Sequence, residues 1–242
     1  MRKSIYTLNL NGEYAPQICA MTYPMLRRYA AKIGAEFHVI TEDRFPGWPA
    51  NYNKLQIYEL AKERKDDWSI YFDSDAVIHP DCFDVTDHLP MDTVMHHTSD
   101  LGCNRWKYDR FFRRDGRNIG SCGFFCVASS WCREFWKPLT DLSLEEALEN
   151  ISPAVTERNF DLGPEHFLDE YVMSRNVAKY GLKFETFVDL KKRIGDRVEG
   201  SYVWHTYLAS NEEKVRQIAE VLLTWQTLKQ SVKFPDWMTH GR

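Results

Sequence analysis

The chain has 242 residues, of which 43% are hydrophobic and 14% aromatic. This size and composition suit one large folded domain and exclude a mainly disordered chain. Its 31 basic and 35 acidic residues give a formal charge of −4, so charge offers no case for nucleic acid as a partner. The six cysteines form no CxxC pair. With no apolar leader and no transmembrane-length run, we expect reduced thiols and a cytoplasmic protein.

The first hundred residues alternate between strand and helix patterns. Strands are predicted at 4–9, 36–41, 68–72 and 93–97, and helices at about 14–32 and 52–64. Gly34 should end the first helix, and Pro24 should kink or divide it. Such alternation is typical of a parallel α/β sheet flanked by helices.

The second half is less regular. A basic, aromatic loop at 103–118 precedes a strand at 121–129 and helical segments within 130–150. A helix over 165–180 ends at Gly181, and strands are predicted within 182–187 and 201–207. Ser210 and Glu213 form a potential capping box for a last helix at about 211–231.

Two aspartates, Asp73 and Asp75, follow the buried strand at 68–72. Two carboxylates so close together are costly to hold unless a cation lies between them, although a capping turn is the open alternative. His205, at the end of a late strand, is a candidate third ligand. Its alternative is an ordinary solvated or hydrogen-bonded histidine.

These features together resemble the GT-A fold glycosyltransferases, most closely the retaining group with the glycogenin-like and galactomannan galactosyltransferase-like families. The resemblance covers about residues 4–207. Besides the N-terminal strand, the Asp-Ser-Asp turn and the late histidine, it depends on four segments. These are AKIGAEFHVIT (31–41), NYNKLQIYEL (51–60), NIGSCGFFCVASSW (118–131) and FLDEYVMSRNVAKYG (167–181).

The resemblance implies a single GT-A-like α/β domain with a Rossmann-like mixed, mostly parallel sheet flanked by helices. The nucleotide-binding part would span about 1–100, the acceptor side about 101–207, and a C-terminal helix about 211–231. The implied activity is metal-dependent transfer of a sugar, of hexosyltransferase type, from a UDP-linked donor to a glycan or other hydroxyl acceptor, with retention. Mn²⁺ is the favoured ion and Mg²⁺ the alternative. The oligomeric state stays open.

The resemblance also assigns residues. Asp73, Asp75 and His205 would bind the metal, and Asp73 would also lie near the donor ribose. The glycogenin-like motif His-x-x-Gly-x-x-Lys-Pro-Trp is absent after His205, so its diphosphate-binding lysine is unassigned. The predicted catalytic residues are Asp73, Asp75 and Asp169. The predicted donor-binding residues are Thr7, Leu8, Asn9, Lys54, Asp73, Ser74, Gly120 and Gly123.

Several of these assignments have alternatives. Lys54 would reach the donor phosphates or ribose, or else be a solvated helix lysine. Asp169 would face the sugar, since only one of Asp169 and Glu170 can face the cleft, or both would be surface charges. The loop with Arg105, Trp106, Lys107 and Tyr108 would shape the acceptor site, or Trp106 would simply pack.

Two other functions compete. The segment FDSDAV also matches the nucleophile motif of haloacid-dehalogenase-like phosphatases, with Asp73 as nucleophile and Asp75 as general acid. That motif normally follows the first strand, whereas two strands precede it here. The later acidic residues expected of a phosphatase are also poorly matched, with only Asp196 and Glu199 near each other. The second rival is a non-catalytic sugar-binding protein of the same fold.

Overall fold

The computed structural model describes residues 1–97, 123–151, 163–196, 202–206 and 210–228. Gly120 and the predicted acceptor loop at 105–108 lie outside these ranges. The strands are β1 (Lys3–Leu8), β2 (Ala35–Ile40), β3 (Trp68–Phe72), β4 (Ala76–Ile78), β5 (Thr93–His96), β6 (Phe125–Ser129), β7 (Lys183–Thr186) and β8 (Val203–His205). The α-helices are α1 (Pro16–Ile33), α2 (Ile57–Arg64), α3 (Leu144–Glu149), α4 (Leu168–Lys179), α5 (Phe187–Arg193) and α6 (Asn211–Leu228).

Six of the described strands form one mixed sheet in the order β2-β1-β3-β6-β5-β7. β1 runs parallel to β2 and β3, and β7 runs parallel to β5, whereas β6 is antiparallel to both β3 and β5. The predicted mixed, mostly parallel α/β sheet is therefore confirmed. Which strand runs antiparallel was not predicted, because a strand pattern shows neither direction nor neighbours.

The sheet is covered on both faces, as the largely apolar sequence of β3 predicts. Side chains alternate between two core clusters, so Ile70 and Phe72 pack with α1 residues, while Tyr71 packs on the opposite face with residues of α2 and α4. In β1, Ile5 packs on the same face as Ile70 and Phe72, and Tyr6 packs on the face of Tyr71. The Asp-Ser-Asp turn is thus anchored by a strand that is buried throughout.

Helix α1 begins and ends as its sequence predicts. Pro16 lies in its first turn, and Gly34 follows it with a left-handed φ of 66°, which glycine adopts without steric cost. Pro24 lies inside this one helix, so it does not divide the helix, and the alternative of a kink there stays a prediction. Buried residues before and after Pro24, including Ile18 and Leu26, pack into the core and offset the lost hydrogen bond.

Two other helices differ from expectation. The segment predicted as one helix at 52–64 begins as a 3₁₀ stretch, Ala50–Gln56, before α2 starts. Helix α5 was not predicted, because it is short and follows β7 directly; the Thr186 hydroxyl accepts a hydrogen bond from Asp189 N at 3.0 Å and caps it.

The last helix packs on a small second sheet formed by β4 and β8. Ile218, Val221 and Trp225 of α6 form a third apolar cluster with Ile18 and Val77, among others. The Ser210 hydroxyl accepts a hydrogen bond from Glu213 N at 3.2 Å, which confirms the Ser210 half of the predicted capping box. The Glu213 carboxylate accepts hydrogen bonds from Arg216 and Gln217. None of the helices in the described ranges has the length and apolar composition needed to cross a membrane.

Candidate metal centre

The Asp73–Asp75 turn, which connects β3 to β4, is fixed by its middle residue. The buried Ser74 hydroxyl donates to the Leu8 carbonyl at 2.7 Å and lies 2.9 Å from the Thr7 hydroxyl. The Thr22 hydroxyl donates to the Ser74 carbonyl at 2.6 Å. Ser74 therefore connects the turn to the end of β1 and to α1, and its side chain is occupied within the protein.

His205 reaches the turn because β8 pairs antiparallel with β4, with His205 opposite Ala76. Its Nε2 lies 3.1 Å from Asp75 Oδ1 and 3.5 Å from Asp73 Oδ2. The imidazole stacks on Phe124, with ring centroids 4.8 Å apart and an interplanar angle of 5°. The β4–β8 pairing thus brings together side chains that are 130 residues apart in sequence.

The other oxygen of each carboxylate contacts one lysine and one tyrosine. Asp73 Oδ1 lies 2.9 Å from Lys54 Nζ and accepts a hydrogen bond from the Tyr71 hydroxyl at 2.8 Å. Asp75 Oδ2 lies 2.6 Å from Lys214 Nζ and accepts a hydrogen bond from a second tyrosine hydroxyl, that of Tyr14, at 2.9 Å. These contacts orient both carboxylates so that their remaining oxygens face His205.

The electrostatics favour the ionised form of Asp75. Burial alone would raise the pKa of Asp75, but His205 and Lys214 outweigh burial and hold it well below its usual range. Burial lowers the pKa of His205, but Asp75 and Asp73 raise it by more, so the net shift is upward. A histidine with a raised pKa beside two carboxylates compensates their charge, as a bound cation would.

The donor set suits a divalent cation. Asp73, Asp75 and His205 each offer one ligand atom, and these atoms lie within 4.8 Å of one another. Two carboxylate oxygens and an imidazole nitrogen match Mn²⁺ well and also permit Mg²⁺. The three residues predicted as metal ligands therefore lie together in the structure and fit such an ion.

Lys54 links this group to a second buried carboxylate. Its ammonium group lies 2.6 Å from Asp169 Oδ2, at the start of α4, and Asn51 Nδ2 donates to Asp169 Oδ1 at 2.9 Å. Burial lowers the pKa of Lys54, but Asp169 and Asp73 outweigh it and the net shift is upward. Lys54 is only 6% exposed, so the alternative of a solvated lysine is wrong.

Gly123 packs against this ion pair. A Cβ at Gly123 would lie 2.7 Å from Asp169 Oδ2 and 3.2 Å from both Lys54 Nζ and Glu170 Cγ. Gly123 N also donates to Glu170 Oε1 at 3.0 Å. A side chain here would displace the Lys54–Asp169 pair. The packing of the protein therefore favours glycine at position 123, whether or not a ligand binds.

The remaining predicted residues are occupied by internal contacts. Thr7 is fully buried against Ser74, and the Asn9 side chain accepts from Tyr14 N at 2.9 Å. Asp169 is 2% exposed, so it is not a surface charge. Contact of Thr7, Leu8 and Asn9 with a nucleotide stays a prediction, as does contact of Asp169, Ser74 and Gly123 with a donor.

Sequence reasoning missed Tyr14, Tyr71 and Lys214 as members of the site. Tyr71 precedes Asp73 by two residues, and alternation along a strand suggests that both face the same side. The sequence also contains a pattern that could have identified Lys214, because it precedes Ile218, Val221 and Trp225 at the spacing of one helix face. A lysine in line with an apolar stripe indicates a buried partner, whereas nothing local identifies Tyr14.

The comparisons with known proteins give similarity at the level of overall structure. No protein-family model matches the chain, and no curated protein matches it in sequence. A glycosyltransferase involved in glycosylation of the major capsid of PBCV-1 is 12% identical, with 91% of this chain and 100% of that chain covered and a TM-score of 0.49. The galactosyltransferase LgtC, solved with donor and acceptor sugar analogs, is 13% identical, with 97% and 98% covered and a TM-score of 0.47.

Proposed function

We propose that this protein is a metal-dependent glycosyltransferase of the GT-A type, which moves a sugar from a nucleotide-sugar donor to a hydroxyl acceptor. The observation that supports it best is the convergence of Asp73 Oδ2, Asp75 Oδ1 and His205 Nε2 at the end of β3. Ligands of open α/β sheets bind at this edge. Asp73, Asp75 and His205 would hold Mn²⁺ or Mg²⁺.

When bound, the ion supplies positive charge to stabilise the diphosphate that leaves the sugar. The protein's own residues prepare the site for it. Tyr71 and Lys54 fix Asp73, while Tyr14 and Lys214 fix Asp75, so neither carboxylate must reorient to accept a cation. Such preorganisation avoids a reorganisation cost during the reaction.

Asp169 is proposed as the acidic residue nearest the donor sugar. It shares Lys54 with Asp73, so the metal group and the start of α4 form one charged network. The finer features of the reaction come from the family resemblance alone. They are a UDP-linked donor, hexosyl transfer, a retaining outcome, and the division into a nucleotide side and an acceptor side.

The phosphatase alternative is less well supported by the contacts of Asp73. A nucleophilic carboxylate needs one oxygen open to a phosphoryl group. Asp73 Oδ1 already contacts Lys54 and Tyr71. Asp73 Oδ2 faces His205 and is the oxygen that the proposed cation would bind, so neither oxygen is left for a phosphoryl group. Asp196, the later acidic residue that the phosphatase reading requires, is not part of the converging group found within the described ranges.

The test is a panel of nucleotide sugars with and without MnCl₂, monitored by release of the nucleoside diphosphate and by thermal shift. We expect one donor to raise the melting temperature more strongly with Mn²⁺, since ligands stabilise the state they bind, and to release its diphosphate slowly by hydrolysis. Asp75→Asn should abolish the Mn²⁺-dependent release.

Asp81→Asn is the matched control, because the Asp81 side chain is 80% exposed and the substitution removes the same charge. Hydrolysis of a generic phosphate ester, without any nucleotide-sugar response, would favour the phosphatase instead. Binding of a nucleotide sugar without release, in the presence of many acceptors, would favour the non-catalytic sugar-binding protein.

A further inference from the structure

Lys214 is a cation that the protein itself places on the proposed metal site. Its ammonium group lies 2.6 Å from Asp75 Oδ2 and 3.2 Å from the Tyr14 hydroxyl. The Lys214 side chain is only 16% exposed, so water screens this ion pair less than an ion pair at the surface. Asp75 therefore already has a positive partner before any metal arrives.

Helix α6 holds Lys214 in this position. Residues 214, 218, 221 and 225 fall on one face of the helix, and Ile218, Val221 and Trp225 pack into the cluster with Val77 and Trp204. Val77 and Trp204 belong to the same β4–β8 pair that positions His205. The lysine and the proposed metal ligands therefore belong to one packed unit.

The two lysines of the site differ in their charge balance. Lys54 contacts Asp73 and also Asp169, so a carboxylate outside the ligand group compensates its charge. Among the residues that the structure describes, the acidic side chain within ion-pair distance of Lys214 is Asp75 itself. The positive charge of Lys214 therefore acts directly on the ligand group.

Resting on the metal site proposed above, we propose that Lys214 is a built-in counter-ion that lowers the affinity of the free protein for a divalent cation. A cation held by Asp75 Oδ1 shares its carboxylate with the ammonium group on Oδ2, and the two positive charges repel each other. The protein thereby keeps its metal affinity low, so the ion exchanges readily and does not stay as a permanent structural component.

The test measures Mn²⁺ binding alone, from the loss of the free Mn²⁺ EPR signal at one fixed pH and salt concentration. Removing a like charge a few ångströms from the ion should tighten binding roughly 10- to 100-fold. We expect this gain in Lys214→Met and in Lys214→Gln, whereas Lys214→Arg, which keeps the charge, should bind like the wild type.

Lys62→Met is the matched control, because Lys62 lies on α2 with a 62% exposed side chain and its loss makes the same change in net charge. Circular dichroism checks that each variant is folded. Two neutral replacements are used so that the test can still be made if one of them does not fold. The proposal stands if both neutral variants bind Mn²⁺ more tightly than the arginine variant and the control.

Equal or weaker Mn²⁺ binding by both neutral variants would overturn the role of Lys214 while leaving the metal site intact. If neither the wild type nor any variant binds Mn²⁺, the metal site fails and this inference fails with it. The two failures differ in the wild-type titration, which shows binding in the first case and none in the second.

Discussion

Replacing Lys54 by Met should destabilise the fold strongly, because it leaves two carboxylates without their shared cation. Lys54 is 6% exposed and lies 2.9 Å from Asp73 and 2.6 Å from Asp169, which is itself 2% exposed. Removing one partner of a buried ion pair typically costs about 3–5 kcal/mol. With a urea m-value of about 2–3 kcal/mol/M, this lowers the unfolding midpoint by about 1–2.5 M.

The assay is urea unfolding followed by tryptophan fluorescence, with Asp169→Asn and the Lys54→Met/Asp169→Asn double variant completing a cycle. The double variant should lose less than the two single variants together, with a coupling of about 2 kcal/mol or more. Lys62→Met, at a 62% exposed side chain, should leave the free energy of unfolding within about 0.5 kcal/mol of the wild type.

The pH dependence provides an independent check. Burial raises the pKa of Asp169, and Lys54 opposes that shift. Without Lys54 the folded-state pKa rises further above the unfolded value, so the variant is relatively more stable when Asp169 is protonated and loses stability as pH rises through the folded-state pKa. The deficit of Lys54→Met should therefore shrink on acidification. An unchanged midpoint, or additive single variants, would refute the buried-pair interpretation.

Three other changes test the site. Gly123→Ala should cost about 1–3 kcal/mol in urea unfolding, since its Cβ would lie 2.7 Å from Asp169 Oδ2; wild-type stability would show that the ion pair moves freely. Ser74→Ala should cost about 1–3 kcal/mol, because the hydroxyl bonds the Leu8 carbonyl at 2.7 Å; a neutral result would mean that the turn is held by other contacts. His205→Ala should raise the Mn²⁺ concentration required for binding by at least about tenfold, and unchanged Mn²⁺ titration by EPR would remove His205 from the site.

The sequence predicts the framework of the site well, because that framework depends on local patterns. The apolar run at 68–72 predicts β3, and the polar residues directly after it mark the end of the strand. His205 ends a short apolar strand in the same way. In both cases the residue type and its position at a strand end made the residue a candidate, and the family resemblance then assigned it as a metal ligand.

The surroundings of these residues could not be predicted in the same way. Lys214 and Asp75 are 139 residues apart, and their contact depends on how α6 packs on α1 and on the β4–β8 pair. Lys54 was identified as a candidate, yet its pairing with Asp169 depends on how the 3₁₀ stretch Ala50–Gln56 packs on the start of α4 beside Gly123. No local spacing encodes such contacts, since they arise only from the complete packing.

The β4–β8 pair separates the assembly of the site from the assembly of the main sheet. The last strand of the six-stranded sheet ends at Thr186, whereas His205 and Lys214 come later in the chain. A chain interrupted between these points would keep the whole sheet and both aspartates, but it would lack the histidine that completes the proposed metal centre.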